Sequence, residues 1–235
     1  GFIVLAPWRT YLNYGDLRIL EEYYPKMKQW MGYVDANTRD GLLRRWPDTE
    51  NRMWYLGDWL APAGVDAGNC QSVDLVNNCF VSECLEKMER IATELSLPGE
   101  AAEWRRKRLA LNAAIHYNFY DSENRQYATG SQLDMSYPML VGAVPAHLRD
   151  AMRDRMLELS ATRWRGHIGA GLVGVPIVTQ WAIDEAQPDF MAGMLRQRDY
   201  PGYLHMIDNG ATATWEYWNG ERSRVHNCYN GVGLW

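Results

Sequence analysis

Apolar positions recur at helical spacing along most of the chain. Phe2 to Tyr14 carries this pattern and runs into Asn13-Tyr14-Gly15, where glycine is a natural helix stop. Asp16 is placed to cap a second helix reaching about Asp35. Pro25 lies inside that segment and is expected to kink it or break it near its first third. Together the two segments predict an antiparallel helical hairpin. Ser72 is placed to cap a helix running to about Leu97, with Leu75, Val76, Cys79, Phe80, Cys84, Met88, Ile91 and Leu95 on one stripe. Pro98 suits the first turn of the next helix, which reaches about Tyr117 and turns Trp104, Leu111, Ala114 and Ile115 inward.

Shorter helices are predicted over 132–144, 146–160, 175–186 and 189–198, the last two separated by Pro188. Residues 203–221 read as a compact loop or hairpin, because Asp208-Asn209-Gly210 and Asn219-Gly220 are turn signals. A last helix is expected from Ser223. The connection over 38–68 is long and irregular and carries four aromatic residues, Trp46, Trp54, Tyr55 and Trp59; such loops are usually functional. Helices alternating with loops, some long and aromatic, predict an all-α ring of helical hairpins with its working loops at one end.

Composition sharpens this picture in one respect. The 235 residues include 11 Trp and 14 Tyr but only 4 Phe. Rings with a polar handle suit a wet, concave surface such as a sugar site, although most of them also serve as packing residues with one satisfied N–H or O–H. The formal charge of −5 leaves no basic stripe for phosphates, so nucleic acid is not an expected partner. The run Arg105-Arg106-Lys107-Arg108 sits in a helical pattern and reads as a solvated face. The longest uncharged run, Ile168 to Ile183, is too short and too broken by Pro176 to span a bilayer. The opening Gly1-Phe2-Ile3-Val4 reads like the interior of a longer sequence, so the compartment stays open. Cys70, Cys79, Cys84 and Cys228 show neither zinc-site spacing nor a disulfide framework, and four free thiols are expected.

Three segments could carry chemistry. In Gly210-Ala211-Thr212-Ala213-Thr214-Trp215-Glu216-Tyr217-Trp218-Asn219-Gly220 a single carboxylate is flanked by rings and bounded by turns. Apolar walls disfavour the charged form of a carboxyl, and ring N–H or O–H donors can orient it. Sugar hydrolysis needs such a group to hold water or attack the anomeric carbon. The plainer alternative is a hairpin Glu216 paired with Arg222 or Arg224. In Gly57-Asp58-Trp59-Leu60, an acceptor stands beside a flat ring, as sugar hydroxyls require; alternatively Asp58 caps a loop turn. In Ser223-Arg224-Val225-His226-Asn227, His226 could donate to a substrate hydroxyl or serve structure alone. Gly169-Ala170-Gly171-Leu172-Val173-Gly174 spells a dinucleotide fingerprint, but it follows no strand and belongs to no βαβ unit, so that reading is rejected.

Taken in order, these segments resemble the catalytic domain of bacterial α-L-rhamnosidases, glycoside hydrolase family 78. The likeness includes Val4-Leu5-Ala6-Pro7-Trp8-Arg9-Thr10-Tyr11-Leu12, Tyr14-Gly15-Asp16 and Tyr24-Pro25-Lys26-Met27-Lys28 of the opening hairpin. It extends through Gly57-Asp58-Trp59-Leu60, Gly210-Ala211-Thr212 with Trp215-Glu216, and His226 followed by Gly233 and Trp235. The resemblance implies an (α/α)₆ barrel, here a single partial domain over 1–235 lacking helices at both ends. It implies inverting hydrolysis of terminal α-L-rhamnosides with Glu216 as general base, and with Asp58, Trp59, Trp54, Trp215, Trp218 and His226 lining the sugar site. No metal or organic cofactor is implied. No Asp-x-Pro-x-Arg-x-Glu-type segment is present, so the general acid is expected upstream, and the chain alone is expected to be inactive. Exposed helix faces at an open seam make self-association an expectation as well. Another exo-glycosidase on the same barrel, or a non-catalytic carbohydrate-binding domain derived from one, are the competing readings.

Overall fold

A computed structural model describes residues 1–45 and 57–226. Trp46, Trp54, Tyr55, Cys228, Gly233 and Trp235 therefore lie outside the described residues. The chain divides into two compact units, Gly1–Tyr55 with Asn77–Asn118, and Leu56–Val76 with Phe119–Trp235.

In the first unit α1 (Phe2–Tyr14) ends at Gly15, whose φ of 68° supplies the left-handed stop expected of it. α2 (Arg18–Ala36) follows and packs back on α1. Asp16 meets the start of α2 from outside the helix, accepting the Arg18 backbone N–H at 3.1 Å. Pro25 does not break α2. The helix buries Leu20, Tyr24, Met27, Met31 and Val34 along one face, and this packing outweighs the missing N–H.

A two-stranded hairpin, β1 (Thr38–Arg39) and β2 (Leu42–Leu43), lies within the segment expected to be irregular. Asp40 and Gly41 make its turn with φ of 54° and 78°, the left-handed pair that matches strand twist. Asn78 clasps the hairpin, accepting the Leu43 N–H at 2.8 Å and donating to the Leu43 carbonyl at 3.2 Å.

α3 (Cys70–Glu94) and α4 (Pro98–Phe119) form the next hairpin, with Pro98 at its expected place. Ser82 donates to Asn112 at 2.5 Å, so two buried polar groups satisfy one another. Trp104 donates to the Tyr24 hydroxyl, which donates in turn to Glu100, both at 2.9 Å. In the basic run, Arg106 pairs with Glu103, Lys107 with Asp35 and Arg108 with Glu89.

α3 starts three residues earlier than a cap at Ser72 predicts. Asn69, not Ser72, meets its first turn by accepting the Gln71 N–H at 2.9 Å. Ser72 is instead committed to a carboxylate of the second unit, to which its stretch of chain belongs.

In that second unit β3 (Tyr120–Asp121) and β4 (Gln126–Tyr127) form a short hairpin. α5 (Gln132–Leu140) is buried from Gln132 to Met139 and packs on α6 (Arg149–Thr162) and α7 (Gly174–Asp184). Ser131 caps α5, accepting the Asp134 N–H at 3.1 Å. A helix buried on every side needs a partner for each polar group it carries. Asp134 accepts from the Ser72 hydroxyl at 2.6 Å and from the Thr129 hydroxyl and amide at 2.6 and 3.1 Å.

α8 (Pro188–Leu195) has its proline at the helix start. α9 (Tyr203–Asp208) is a short helix inside the span expected to be a loop or hairpin. Residues 223–226 are irregular, with bends at Arg224 and Val225, and do not start a last helix. Their backbone is taken up by pairing with residues 214–216, which helical geometry would forbid.

Candidate functional site

Both motif loops belong to the second unit. In Gly57-Asp58-Trp59-Leu60 the loop is tightly packed at its entry, since a Cβ on Gly57 would lie 2.8 Å from the Ala67 carbonyl. Asp58 is 7% exposed and its carboxylate accepts four backbone N–H groups. Oδ2 takes Gly171 at 2.6 Å, and Oδ1 takes Gly174 at 2.9 Å, Trp59 at 3.0 Å and Val173 at 3.1 Å. Two of these donors, Val173 and Gly174, stand at the start of α7, where a carboxylate also meets the positive end of the helix. Burial pushes the Asp58 carboxyl above the ordinary carboxylate range, while the four amides pull it down.

Trp59 stands outside this buried knot, 49% exposed. Its carbonyl accepts the Leu172 N–H at 2.6 Å. Leu60 follows with φ of 59°, a left-handed conformation unfavourable for a branched side chain. Two glycines make room for the arrangement. A Cβ on Gly171 would collide with the Trp59 carbonyl and sit 2.6 Å from the Ala61 nitrogen. A Cβ on Gly174 would lie 2.7 Å from Asp58 Oδ2. The Gly-x-Gly-x-x-Gly run thus cradles an anion, but the anion is the chain's own carboxylate.

Residues 214–226 form an irregular hairpin. The Glu216 N–H donates to the Ser223 carbonyl at 2.8 Å, and the His226 N–H donates to the Thr214 carbonyl at 2.9 Å. The Thr214 hydroxyl donates to the His226 carbonyl. Glu216 and His226 are thereby held on paired arms of one turn, both half-buried. Glu216 Oε2 accepts the Ser223 N–H at 3.3 Å. Neither arginine proposed as its partner pairs with it among the described residues. Arg222 lies over the Tyr217 ring at 5.7 Å and Arg224 over the Trp215 ring at 5.2 Å.

Trp218, 1% exposed, donates from its indole to the Ala170 carbonyl at 3.1 Å and meets Tyr203 edge to face at 5.3 Å. Trp215 is 3% exposed, and its indole nitrogen is buried without a hydrogen-bond partner among the described residues. These two rings pack the hairpin rather than present open faces, and neither indole N–H goes to Glu216. The Ala211 to Thr214 half of the motif lines a cavity of about 460 Å³ with Tyr203, Met206 and Ile207.

The segment 167–174 joins these parts. Gln132 donates to the His167 carbonyl at 3.0 Å and accepts the Gly169 N–H at 2.7 Å. Trp218 takes the Ala170 carbonyl, Asp58 takes Gly171, Val173 and Gly174, and Trp59 takes Leu172. The two sequence motifs therefore grip one stretch of backbone. Gln132, Gly171 and Gly174 were not among the expected site residues; three closely spaced glycines ahead of a helix were the visible signal. Trp54 lies outside the described residues. No group of three His, Cys, Asp or Glu side chains could hold a metal ion among the described residues.

Comparison with known proteins gives the fold its class. The bacterial alpha-L-rhamnosidase 6 hairpin glycosidase domain matches residues 1–235. An alpha-L-rhamnosidase of Alteromonas sp. (strain LOR) is 25% identical over 250 residues, covering 98% of this chain and 26% of its own length. One from Formosa agariphila is 23% identical over 244 residues, with 98% and 25% covered. The chain thus spans about a quarter of the length of these curated relatives. The crystal structure of Streptomyces avermitilis alpha-L-rhamnosidase complexed with L-rhamnose superposes with a TM-score of 0.84 at 24% identity, covering 99% of this chain and 22% of that one. The enzyme of Dictyoglumus thermophilum gives 0.85 at 20% identity, covering 99% and 26%. The fold is that of these helical domains, all-α and of the (α/α)₆-barrel class.

Proposed function

The chain belongs to the bacterial alpha-L-rhamnosidase 6 hairpin glycosidase domain family, and on that premise we propose that the protein containing it hydrolyses terminal α-L-rhamnosides with inversion of configuration. Glu216 acts as general base: its carboxylate takes a proton from water as that water attacks the anomeric carbon. Trp59 offers an exposed face to the C–H surface of the sugar, and His226 donates to a sugar hydroxyl. Asp58, Trp215 and Trp218 belong to the site through the loops they fix.

One observation carries this reading. Asp58 and Trp59 on one side and Trp218 on the other bond to the same residues, 170–174, so the two motif loops are parts of one construction. The general acid is assigned to no residue of this chain. The carboxyls that burial pushes up, Asp58 and Asp134, have both oxygens engaged by donors and no open path to a leaving group.

The test is proton NMR of the full-length protein acting on an aryl α-L-rhamnoside. Inversion gives β-L-rhamnose as the first-formed anomer. α-L-Rhamnose appearing first would assign Glu216 to a nucleophile's role, and no hydrolysis would remove the reading.

A further inference from the structure

We propose that Asp58 is a positioning residue for Trp59, acting through the 171–174 amides, and not itself a ligand of the sugar. The inference rests on the rhamnosidase reading for what Trp59 binds. The clamp itself rests on geometry alone.

An aspartate beside an exposed ring looks like a sugar ligand, because a carboxylate accepts well from hydroxyls. Here the acceptor is turned inward and held by backbone amides. Four amides converge on two oxygens at 2.6 to 3.1 Å, in a residue that is 7% exposed. Oδ1 takes three of them, more than its two lone pairs can hold singly, and Oδ2 takes one, its remaining lone pair being buried with the residue. Burial leaves a sugar hydroxyl no open face of this carboxylate, and one that displaced an Oδ1 donor would leave a buried amide unpaired.

The same contacts define where Trp59 stands. Its N–H is held by Asp58 and its carbonyl by Leu172, so both backbone polar groups are fixed while the ring projects outward. The left-handed Leu60 fits against Gly171, where a Cβ would lie 2.9 Å from the Leu60 carbonyl carbon. Side chains at 171 or 174 would prise the clamp open, which accounts for glycine at both positions. Asparagine in place of Asp58 keeps one acceptor oxygen but turns an NH₂ toward amide donors, so the clamp should slip without losing its shape.

Kinetics of the full-length protein on an aryl α-L-rhamnoside, with Asp58→Asn, Trp59→Ala and the double variant, separate a positioning role from direct contact. A ring that binds sugar equally in ground and transition states acts mainly on KM, so Trp59→Ala should raise KM roughly tenfold and Asp58→Asn about fivefold. If Asp58 acts through Trp59, the double variant should be no worse than Trp59→Ala, about tenfold rather than about fiftyfold. Multiplying losses would overturn the proposal and make Asp58 a sugar contact in its own right. Hydrogen exchange on the same variants reads the clamp without any substrate. Asp58→Asn should speed exchange in peptides covering 58–61 and 169–175, and unchanged exchange there would overturn the proposal. Should Asp58→Asn not fold, Gly174→Ala displaces Oδ2 more gently and should move KM and exchange in the same directions. A wild-type protein inactive on rhamnosides would sink the functional reading, while the exchange result would still decide the clamp.

Discussion

The Trp218 indole donates to the Ala170 carbonyl at 3.1 Å, and one residue later the Gly171 amide donates to Asp58 at 2.6 Å. A ring from the Glu216 hairpin and a carboxylate from the Trp59 loop thus hold the two polar ends of one peptide group. The carbonyl is buried with Ala170, so its partner cannot be replaced by water.

Removing that donor while keeping an aromatic ring should therefore loosen the Glu216 hairpin. Trp218→Phe leaves a buried carbonyl unpaired and should cost about 1 to 3 kcal/mol of stability. Activity should fall along with it, because the hairpin carrying Glu216 loses its tether. A thermal melt beside kcat/KM checks both; a variant as stable and as active as wild type would separate the tether from the site.

Asp134 tests the centre of the second unit. Its oxygens take two hydroxyls and an amide, and all of these groups lose their partner in Asp134→Ala. The expected loss is about 3 kcal/mol, at the level of a broken buried polar network. Denaturant unfolding measures it, and a loss under about 1 kcal/mol would show that the hydroxyls find other partners.

The pH dependence of the same residue has a definite sign. Burial, against the pull of its hydrogen bonds, holds the Asp134 carboxyl above its ordinary value of 3.8. Above that value the unfolded chain releases a proton the native state still keeps, so the group's stabilising share is full at lower pH and is lost as pH rises through the native value. Relative to Asp134→Asn, which does not titrate, wild-type stability should decline as pH rises above about 4. A wild-type advantage that grows over this range would reverse the assignment.

Cysteine chemistry should divide by burial. Burial pushes the Cys84 thiol up to about 12, whereas Cys70 is exposed. The thiolate is the reactive form, so native alkylation at pH 8 should label Cys70 and leave Cys84 unmodified until denaturant is added. Peptide mass mapping reads this directly; rapid native labelling of Cys84 would mean that α3 opens locally.

The helices were largely legible because they depend on local pattern. Gly15 and Pro98 mark boundaries by their own backbone preferences, and the apolar stripes of α3 and α4 mark the buried faces. The errors fall where a side chain answers to a distant partner. Ser72 sits at helix-cap distance from the apolar run but is drawn to Asp134, 62 residues away. The start of the expected last helix is irregular because Ser223 and His226 pair with Glu216 and Thr214. At the site, the motif residues could be named from sequence, but the 113-residue link from Asp58 to Gly171 leaves no periodic trace. The buried faces of Trp215 and Trp218 were equally invisible, since a ring's polar handle does not say whether it turns toward substrate or toward a carbonyl.

The central claim, that Glu216 is the base activating water, is tested most directly by Glu216→Gln in the full-length protein, with initial rates on an aryl α-L-rhamnoside. Glutamine keeps the size and the acceptor that meets the Ser223 amide but cannot take a proton, so the hairpin should stay folded while kcat falls by at least about a hundredfold, the scale of general acid–base help. Near-normal turnover by a folded Glu216→Gln protein would contradict the account and remove Glu216 from the chemistry.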